Sequence, residues 1–514
     1  MTRSSISALR MKLILSLQKK YIFNIFILTF LYVISAIGVL CPLIGLFIAI
    51  IEWIFLIFLF IQKYYFKAFC MTIAFITTSF ETTTFISEDV SENMVVYSIY
   101  SIPIVRSVLC YAFIMLLCIV FYNKYIGHYK QTLKRTADIR RITRLFPVMV
   151  ITGTATGLIV YIINDNRVAE SMWYFIKFIE FTIKILTLMS LIYTAVFICI
   201  GNEDERKKLE IFCEQLIICS AIATTITLLI GFRGHYGSKG TLIFMPLGAS
   251  IASALMLFAG YRKSYKLCYF ILGAIFTAEI LFVASSQMGS KFYIIPMASV
   301  IILTLKGMKD GRLGSFAGVS VILLVVLAGG GTAITTTYFG AYNDWKFTQL
   351  LQLFQFKGNS LATWYLQLPN SPRVRVDEFM SILYEYRNKP WYALFGKGNA
   401  GTITHHWGNT VWTLKGGGAF SDYEIDNGIF MFMHESLNVL FIRHGLLGLY
   451  FFCISVIALM KRLLKTPWAF IGLVWIVFYW GTYRSWWIGA IAFVLALTAE
   501  YSNKSIYLER SRRL

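Results

Sequence analysis

The residues with the strongest claim to chemistry lie where a long polar stretch meets an apolar one of membrane length. His434 and Glu435 stand directly ahead of the run SLNVLFIRHGLLGLYFF, with Arg443 and His444 two to three turns further on. A histidine changes charge near neutral pH and can accept a proton from a hydroxyl, which makes His434, with Glu435 beside it, the candidate catalytic position. Three short connections between other apolar runs present cations: Arg233 and Lys239 in GFRGHYGSKG, Lys291 in SSQMGSKFY and Arg484 in GTYRSWW. Arginine suits bidentate contact with phosphate oxygens, and glycine-rich backbone lets N–H groups approach the same anion. These four are candidate ligands for a phosphate or diphosphate group. Any one of them has a plainer reading, a long cationic side chain reaching out to the membrane interface.

The elements that must position these residues are membrane helices. Of 514 residues 58% are hydrophobic and 14% charged, where a soluble domain carries about 25% charged residues. The apolar residues come in runs of about 20, enough to cross a hydrocarbon core about 30 Å thick. Spans are expected near 22–41, 44–62, 68–86, 103–123, 146–163, 176–200, 209–231, 241–260, 267–286, 292–305, 315–335, 437–460, 467–482 and 485–501. The fold class is therefore an all-α polytopic integral membrane protein with 12–14 transmembrane helices and one large, partly helical loop. The chain divides into a bundle (1–335), the loop (336–436), and C-terminal helices with a tail (437–514).

The net charge of +21 follows the spans. Counting from the N-terminal tail, alternate connections hold 30 Lys and Arg, whereas the short connections between them hold five. That asymmetry is the positive-inside rule, and it puts both termini in the cytoplasm and the long loop outside it. The patch KRTADIRRITR then lies against anionic lipid and argues against a nucleic-acid partner. The basic N-terminus runs into a full span with no small-residue cleavage site after it, as expected for a first transmembrane helix. None of the nine cysteines lies in the loop, and no CxxC or Cys/His spacing suggests a metal or cofactor.

Within the loop, RVRVDEFMSILYEYRNK has helical periodicity, with Phe379, Ile382, Leu383 and Tyr386 on one face and Pro390 ending it. LFGKGNAG lacks the spacing of a phosphate-binding loop and reads first as a structural turn. His405 and His406 read as polar surface. Asp422, Glu424 and Asp426 precede His434 closely; turn chemistry accounts for Asp426-Asn427-Gly428, and a role beside His434 is the sharper alternative. In the bundle, Lys177, Glu180 and Lys184 have the i,i+3 and i,i+4 spacing of local helix pairs.

The loop's end, FGKG followed by DNGIFMFMHESLNVLFIRHGLLGLYFF, resembles the superfamily of O-antigen polymerases (Wzy) and O-antigen ligases (WaaL). The matching features are His434-Glu435-Ser436 closing a long loop, Gly445-Leu-Leu-Gly448 after it, and Arg233-Gly234 ahead of a span. Two departures stand out: Glu435 where Asn or Ser is commoner, and SSQMGSK in place of a Ser-Arg-Gly segment, with Lys291 where the arginine would fall. The resemblance implies a GT-C-like architecture in a bacterial inner membrane, with the loop periplasmic. It implies an enzyme using neither metal nor nucleotide, moving an oligosaccharide from undecaprenyl diphosphate to an acceptor sugar hydroxyl. His434 would be the general base; Arg233, Lys239, Lys291 and Arg484 would hold the diphosphate; Asp426, Arg443 and His444 would face the acceptor glycan. A chain-length regulator protein would be a partner of a polymerase. A ligase acting on lipopolysaccharide core, a metal-dependent transferase using Glu88, Asp89 and Glu92, and a glycan flippase are the other readings.

Overall fold

The computed structural model describes residues 21–35, 42–78, 108–229, 248–262, 267–284, 290–310, 370–407, 420–478 and 487–511, with single positions 365, 368 and 480. Arg233, Lys239, Arg484, Glu88, Asp89, Glu92 and the expected span at 315–335 lie outside them. The described chain is overwhelmingly α-helical. In order it forms α1 (Tyr21–Ser35), α2 (Pro42–Ile61), α3 (Tyr65–Thr78), α4 (Val108–Arg135), α5 (Ala137–Ile162), α6 (Met172–Gly201), α7 (Glu203–Leu229), α8 (Gly248–Arg262), α9 (Leu267–Ala284) and α10 (Ser290–Lys309). The loop contributes α11 (Asn370–Asn388), α12 (Trp391–Phe395) and α13 (Asp422–Asn427), and the chain closes with α14 (Ser436–Met460), α15 (Pro467–Phe478) and α16 (Trp487–Ser511).

In hydrocarbon every backbone polar group must find a partner within the protein, so apolar runs of this length fold as helices. Five helices among the described residues, α2, α4, α5, α6 and α14, are long and apolar enough to cross a membrane, and six further apolar helices are shorter. The chain is an all-α membrane protein. Large rings fill its interior: Phe146 of α5 stacks on Phe451 of α14 at 5.4 Å, and Trp480 lies against both. Pro147 inside α5 can donate nothing to the carbonyl of Thr143 one turn back, and the Tyr193 hydroxyl of α6 donates to that carbonyl instead.

Polar contacts between helix ends sort by end. Lys124 and Tyr125 reach Glu205 at 3.2 and 3.1 Å, Arg462 reaches Asp138 at 2.9 Å, and the Tyr261 hydroxyl reaches Asp310 at 2.6 Å. All of these join connections that the charge count assigns to one side. The loop packs instead on the turn between α5 and α6. Asn166 Nδ2 donates to the Thr402 carbonyl at 3.2 Å, Ser171 and Tyr423 share a hydrogen bond of 2.5 Å, and the Tyr174 hydroxyl donates to the Ile429 carbonyl at 2.5 Å.

A two-stranded antiparallel pair, β1 (Ile403–Thr404) and β2 (Ile429–Phe430), ties the two described parts of the loop together, with Ile403 opposite Phe430. The loop shares its apolar core with the bundle: Val160 of α5, Phe178 of α6, and Phe441 and Ile442 of α14 pack with Ile382, Tyr386, Ile403 and Phe430.

Candidate functional site

Two backbone irregularities seat the loop. Gly396 and Gly398 both have positive φ, a conformation glycine adopts without strain. The turn they make lays the segment Gly398–Ala400 directly on Gly153 and Gly157 of α5; a Cβ on Gly157 would fall 2.7 Å from the Asn399 amide nitrogen. Asn399 Nδ2 donates to Thr182 of α6 at 3.1 Å. LFGKGNAG is thus a structural turn, as its spacing suggests, and its function is close docking. The second irregularity is in α14, which breaks at Gly445 (φ 57°, ψ −144°). The break leaves carbonyls without helical partners, and the loop supplies donors. The Tyr386 hydroxyl donates to Phe441 and Ile442 at 3.0 Å each, and the Lys397 amide donates to Ile442 at 2.7 Å.

The apolar face of α11 is rotated from the one expected. Ile382 and Tyr386 are buried, but Leu383 is 39% exposed, and Glu378, Ser381 and Asp377 are enclosed in its place. At 100° per residue the buried face centres on Glu378, about a quarter turn from the expected stripe. α11 packs on the first half of α14, Phe379 and Tyr386 against Phe441 at 5.5 and 5.1 Å. That contact carries Glu378 into the interior.

Glu378 has 0% exposure and is the residue the sequence reading missed. One carboxylate oxygen pairs with Nδ1 of His434. The carboxylate also accepts the His434 backbone N–H at 3.2 Å and Asn438 Nδ2 at 2.8 Å. Asn438 donates as well to the Arg375 carbonyl at 2.9 Å, which locks α11 to α14. His434 keeps 15% of its side chain exposed and packs edge-on to Phe420 at 5.1 Å. A carboxylate on Nδ1 selects the tautomer whose Nε2 is the acceptor, the arrangement a general base requires. The sequence signal for Glu378 was its place on α11: together with Glu385 it shares a face with Ile382, and a carboxylate on a packing face needs buried partners.

The other predicted residues fall as follows. Glu435 is the first residue before α14, and its carboxylate takes Arg375 Nε at 2.5 Å, so it faces the guanidinium rather than the imidazole. Arg443 is buried just ahead of the break, its guanidinium 4.0 Å from the Phe181 ring centre. His444 is buried, its ring against Gly153 of α5 and its backbone under the loop residue Gly396. Arg443 lies about two turns into α14, which begins at Ser436 just after His434. Asp426 is exposed on α13. Lys291 lies in the first turn of α10, and its side chain is outside the described residues. Lys177 and Lys184 flank Glu180 as local pairs, at 3.1 Å for the first.

A second buried ionic group holds the loop down. Lys397, 2% exposed, pairs with Glu385, lies 3.3 Å from Asp165 and donates to the Thr402 carbonyl at 2.9 Å. Lys389 also pairs with Asp165. Burial alone would push the Asp165 carboxyl up; the Lys397 and Lys389 ammonium groups outweigh it and hold the group below the ordinary carboxylate range. His406 sits 3.6 Å from Glu385 and stacks on Tyr384, which gives this histidine a role in the dock. Among the described residues no His, Cys, Asp and Glu gather in a group that could hold a metal ion.

No model of a known protein family matches the chain, and neither does any curated protein or any solved structure.

Proposed function

We propose that the protein is a membrane glycosyltransferase that extends lipid-diphosphate-linked oligosaccharides, a polymerase of the O-antigen type, working at the face of the inner membrane that carries the loop. The observation that supports this most is the Glu378–His434–Asn438 constellation, fixed where a docked loop enters a membrane helix. In this reading His434 Nε2 takes the proton of an acceptor sugar hydroxyl as its oxygen attacks the anomeric carbon. The bond from that carbon to the lipid diphosphate breaks, and the diphosphate leaves with the electron pair. Glu378 holds the ring in place and stabilises the imidazolium that forms. Arg233, Lys239, Lys291 and Arg484 are the proposed clamp on the leaving diphosphate, where losing one donor costs roughly 2.7–4 kcal/mol of barrier.

The test uses purified protein in lipid nanodiscs with lipid-linked oligosaccharide extracted from the producing cells. The wild type should yield a ladder of longer lipid-linked chains in the presence of EDTA, and His434→Ala should yield none. A ladder from His434→Ala overturns the base assignment. Transfer only to added lipopolysaccharide core would make the protein a ligase. In proteoliposomes, an unaltered substrate that changes leaflet would make it a flippase.

A further inference from the structure

Next to the catalytic seam is a group of aromatic rings that the proton transfer does not use. Trp173 opens α6 and is half-buried; Tyr423 comes from α13; Phe432 comes from the segment leading to His434. Trp173 lies 4.9 Å from Tyr423 with the planes 36° apart, and 5.9 Å from Phe432. Phe432 also meets Phe181 at 5.4 Å. Its neighbours Phe430 and Met431 are each 1% exposed, yet Phe432 is 38% exposed. The chain thus presents this ring at a surface although the segment carrying it is otherwise core.

The rings are held rather than merely adjacent. The Tyr423 hydroxyl is fixed on Ser171 at 2.5 Å. The buried Glu424 carboxylate accepts the backbone N–H groups of Met431 and Phe432 at 2.8 and 3.1 Å, and the Ser421 hydroxyl at 2.8 Å. This one side chain sets the helix bearing Tyr423 against the segment bearing Phe432, just after β2. Asp426 is three residues after Tyr423, on the same face of α13, and is exposed. Phe432 is two residues before His434, at most about 7 Å of chain.

We propose that Trp173, Tyr423 and Phe432, rimmed by Asp426, form a saccharide subsite that seats the sugar beside the reacting bond; the identity of that sugar as donor or acceptor rests on the transferase reading above. Sugar rings carry C–H faces that lie against aromatic rings and hydroxyls that pair with carboxylate oxygens. An apolar platform with a few polar groups at its edge recognises both. A preformed platform loses little freedom on binding. Aromatic residues also gather at membrane interfaces as anchors against lipid. Here two of the three rings come from the loop and converge on the third, and Phe432 stands two residues from His434 in the chain.

The experiment titrates the protein in nanodiscs with the soluble glycan released by mild acid from the lipid-linked oligosaccharides of the producing cells. Binding is read by saturation-transfer NMR, with polyprenyl diphosphate lacking glycan as the control ligand. Phe432→Leu and Trp173→Leu keep bulk and remove the ring; each should weaken glycan binding about tenfold, the scale of one lost aromatic contact, and leave the control unchanged. Phe432→Tyr should bind as the wild type does. In chain extension the leucine variants should raise KM and spare kcat. Wild-type glycan affinity in both leucine variants overturns the subsite, as does equal weakening of the glycan-free lipid, which marks the rings as membrane anchors. Glycan binding without any chain extension leaves the subsite standing and removes the transferase reading. Extension with unchanged KM in the leucine variants does the reverse.

Discussion

The two ends of the bundle handle charge in opposite ways. At the end away from the loop, most ion pairs are local in sequence, Lys124–Glu205 and the buried Arg462–Asp138 being the long-range exceptions. Arg206 bridges Glu203 and Glu210 at helical spacing, Lys207 and Lys208 reach back four residues, and Lys306 pairs with Asp310 at 2.6 Å. At the loop end, charges from separate elements are enclosed together: Glu378 with His434, and Lys397 with Glu385 and Asp165, while Arg375 and Glu435 pair part-exposed at the rim. An exposed pair contributes about 0–1 kcal/mol, whereas stripping one partner from a buried group costs about 3–5 kcal/mol because a charge is left stranded. Each exposed pair at the first end therefore adds little, whereas each buried pair at the loop end is costly to break.

The largest test of this contrast is catalytic. His434→Ala should lower chain extension by about 10²–10⁴-fold, the usual contribution of a general base, and Glu378→Gln should approach that loss because the ring loses the negative charge beside Nδ1 that fixes its tautomer and stabilises the imidazolium. Both variants should retain the wild-type circular-dichroism spectrum and size-exclusion profile; an active Glu378→Gln would remove the carboxylate from the mechanism.

Stability should divide the ends next. Lys397→Met takes the ammonium from Glu385 inside the dock and leaves Asp165 with Lys389 alone, and should cost about 3–5 kcal/mol, read from denaturant unfolding in detergent. Lys207→Met at the other end should stay within about 0.5 kcal/mol. Equal effects would erase the contrast. Gly398→Ala combines a disfavoured φ of +69° with a Cβ that meets the Gly157 backbone. It should lift the loop off α5, seen as faster proteolysis between Pro390 and Thr404.

Acid gives a smaller, graded effect. The Asp165 carboxyl titrates below its ordinary value of 3.8 in the folded protein. Its contribution is therefore complete above that value and is lost as pH falls through the lower, folded value. Hydrogen-exchange protection of the amides from Lys397 to Thr404, corrected for intrinsic exchange, should be flat from neutral pH down to about 4 and decline below. A decline that begins well above the ordinary carboxylate value of 3.8 would remove Asp165 from that role. The smallest effect is the Lys306–Asp310 double-mutant cycle, at about 0.3–0.5 kcal/mol.

The sequence by itself determined whatever depends on nearest neighbours. Apolar run length specified the helices, Pro390 set the end of α11, and the i,i+3 and i,i+4 spacing of Lys177, Glu180 and Lys184 yielded the pairs observed. His434 stood out because it sits at a change of composition, and FGKG read as a turn because its glycines are local signals. Tertiary structure alone decided what long-range packing decides. The sequence could not say that α11 would bury the Glu378 face, because helical periodicity scores apolar residues and takes a carboxylate as solvent-facing. Only the approach of His434 and Asn438, 56 and 60 positions away, makes that burial affordable. The break at Gly445 is legible as a glycine, but its meaning lies in the carbonyls it frees and in Tyr386 and Lys397, which come from the loop to accept that role. Trp173, Tyr423 and Phe432 are separate aromatics in the sequence, and Glu424 and Ser171 bring them to one face. A buried charge or a broken helix is stable only with distant partners, and no local pattern records where the fold will bring those partners.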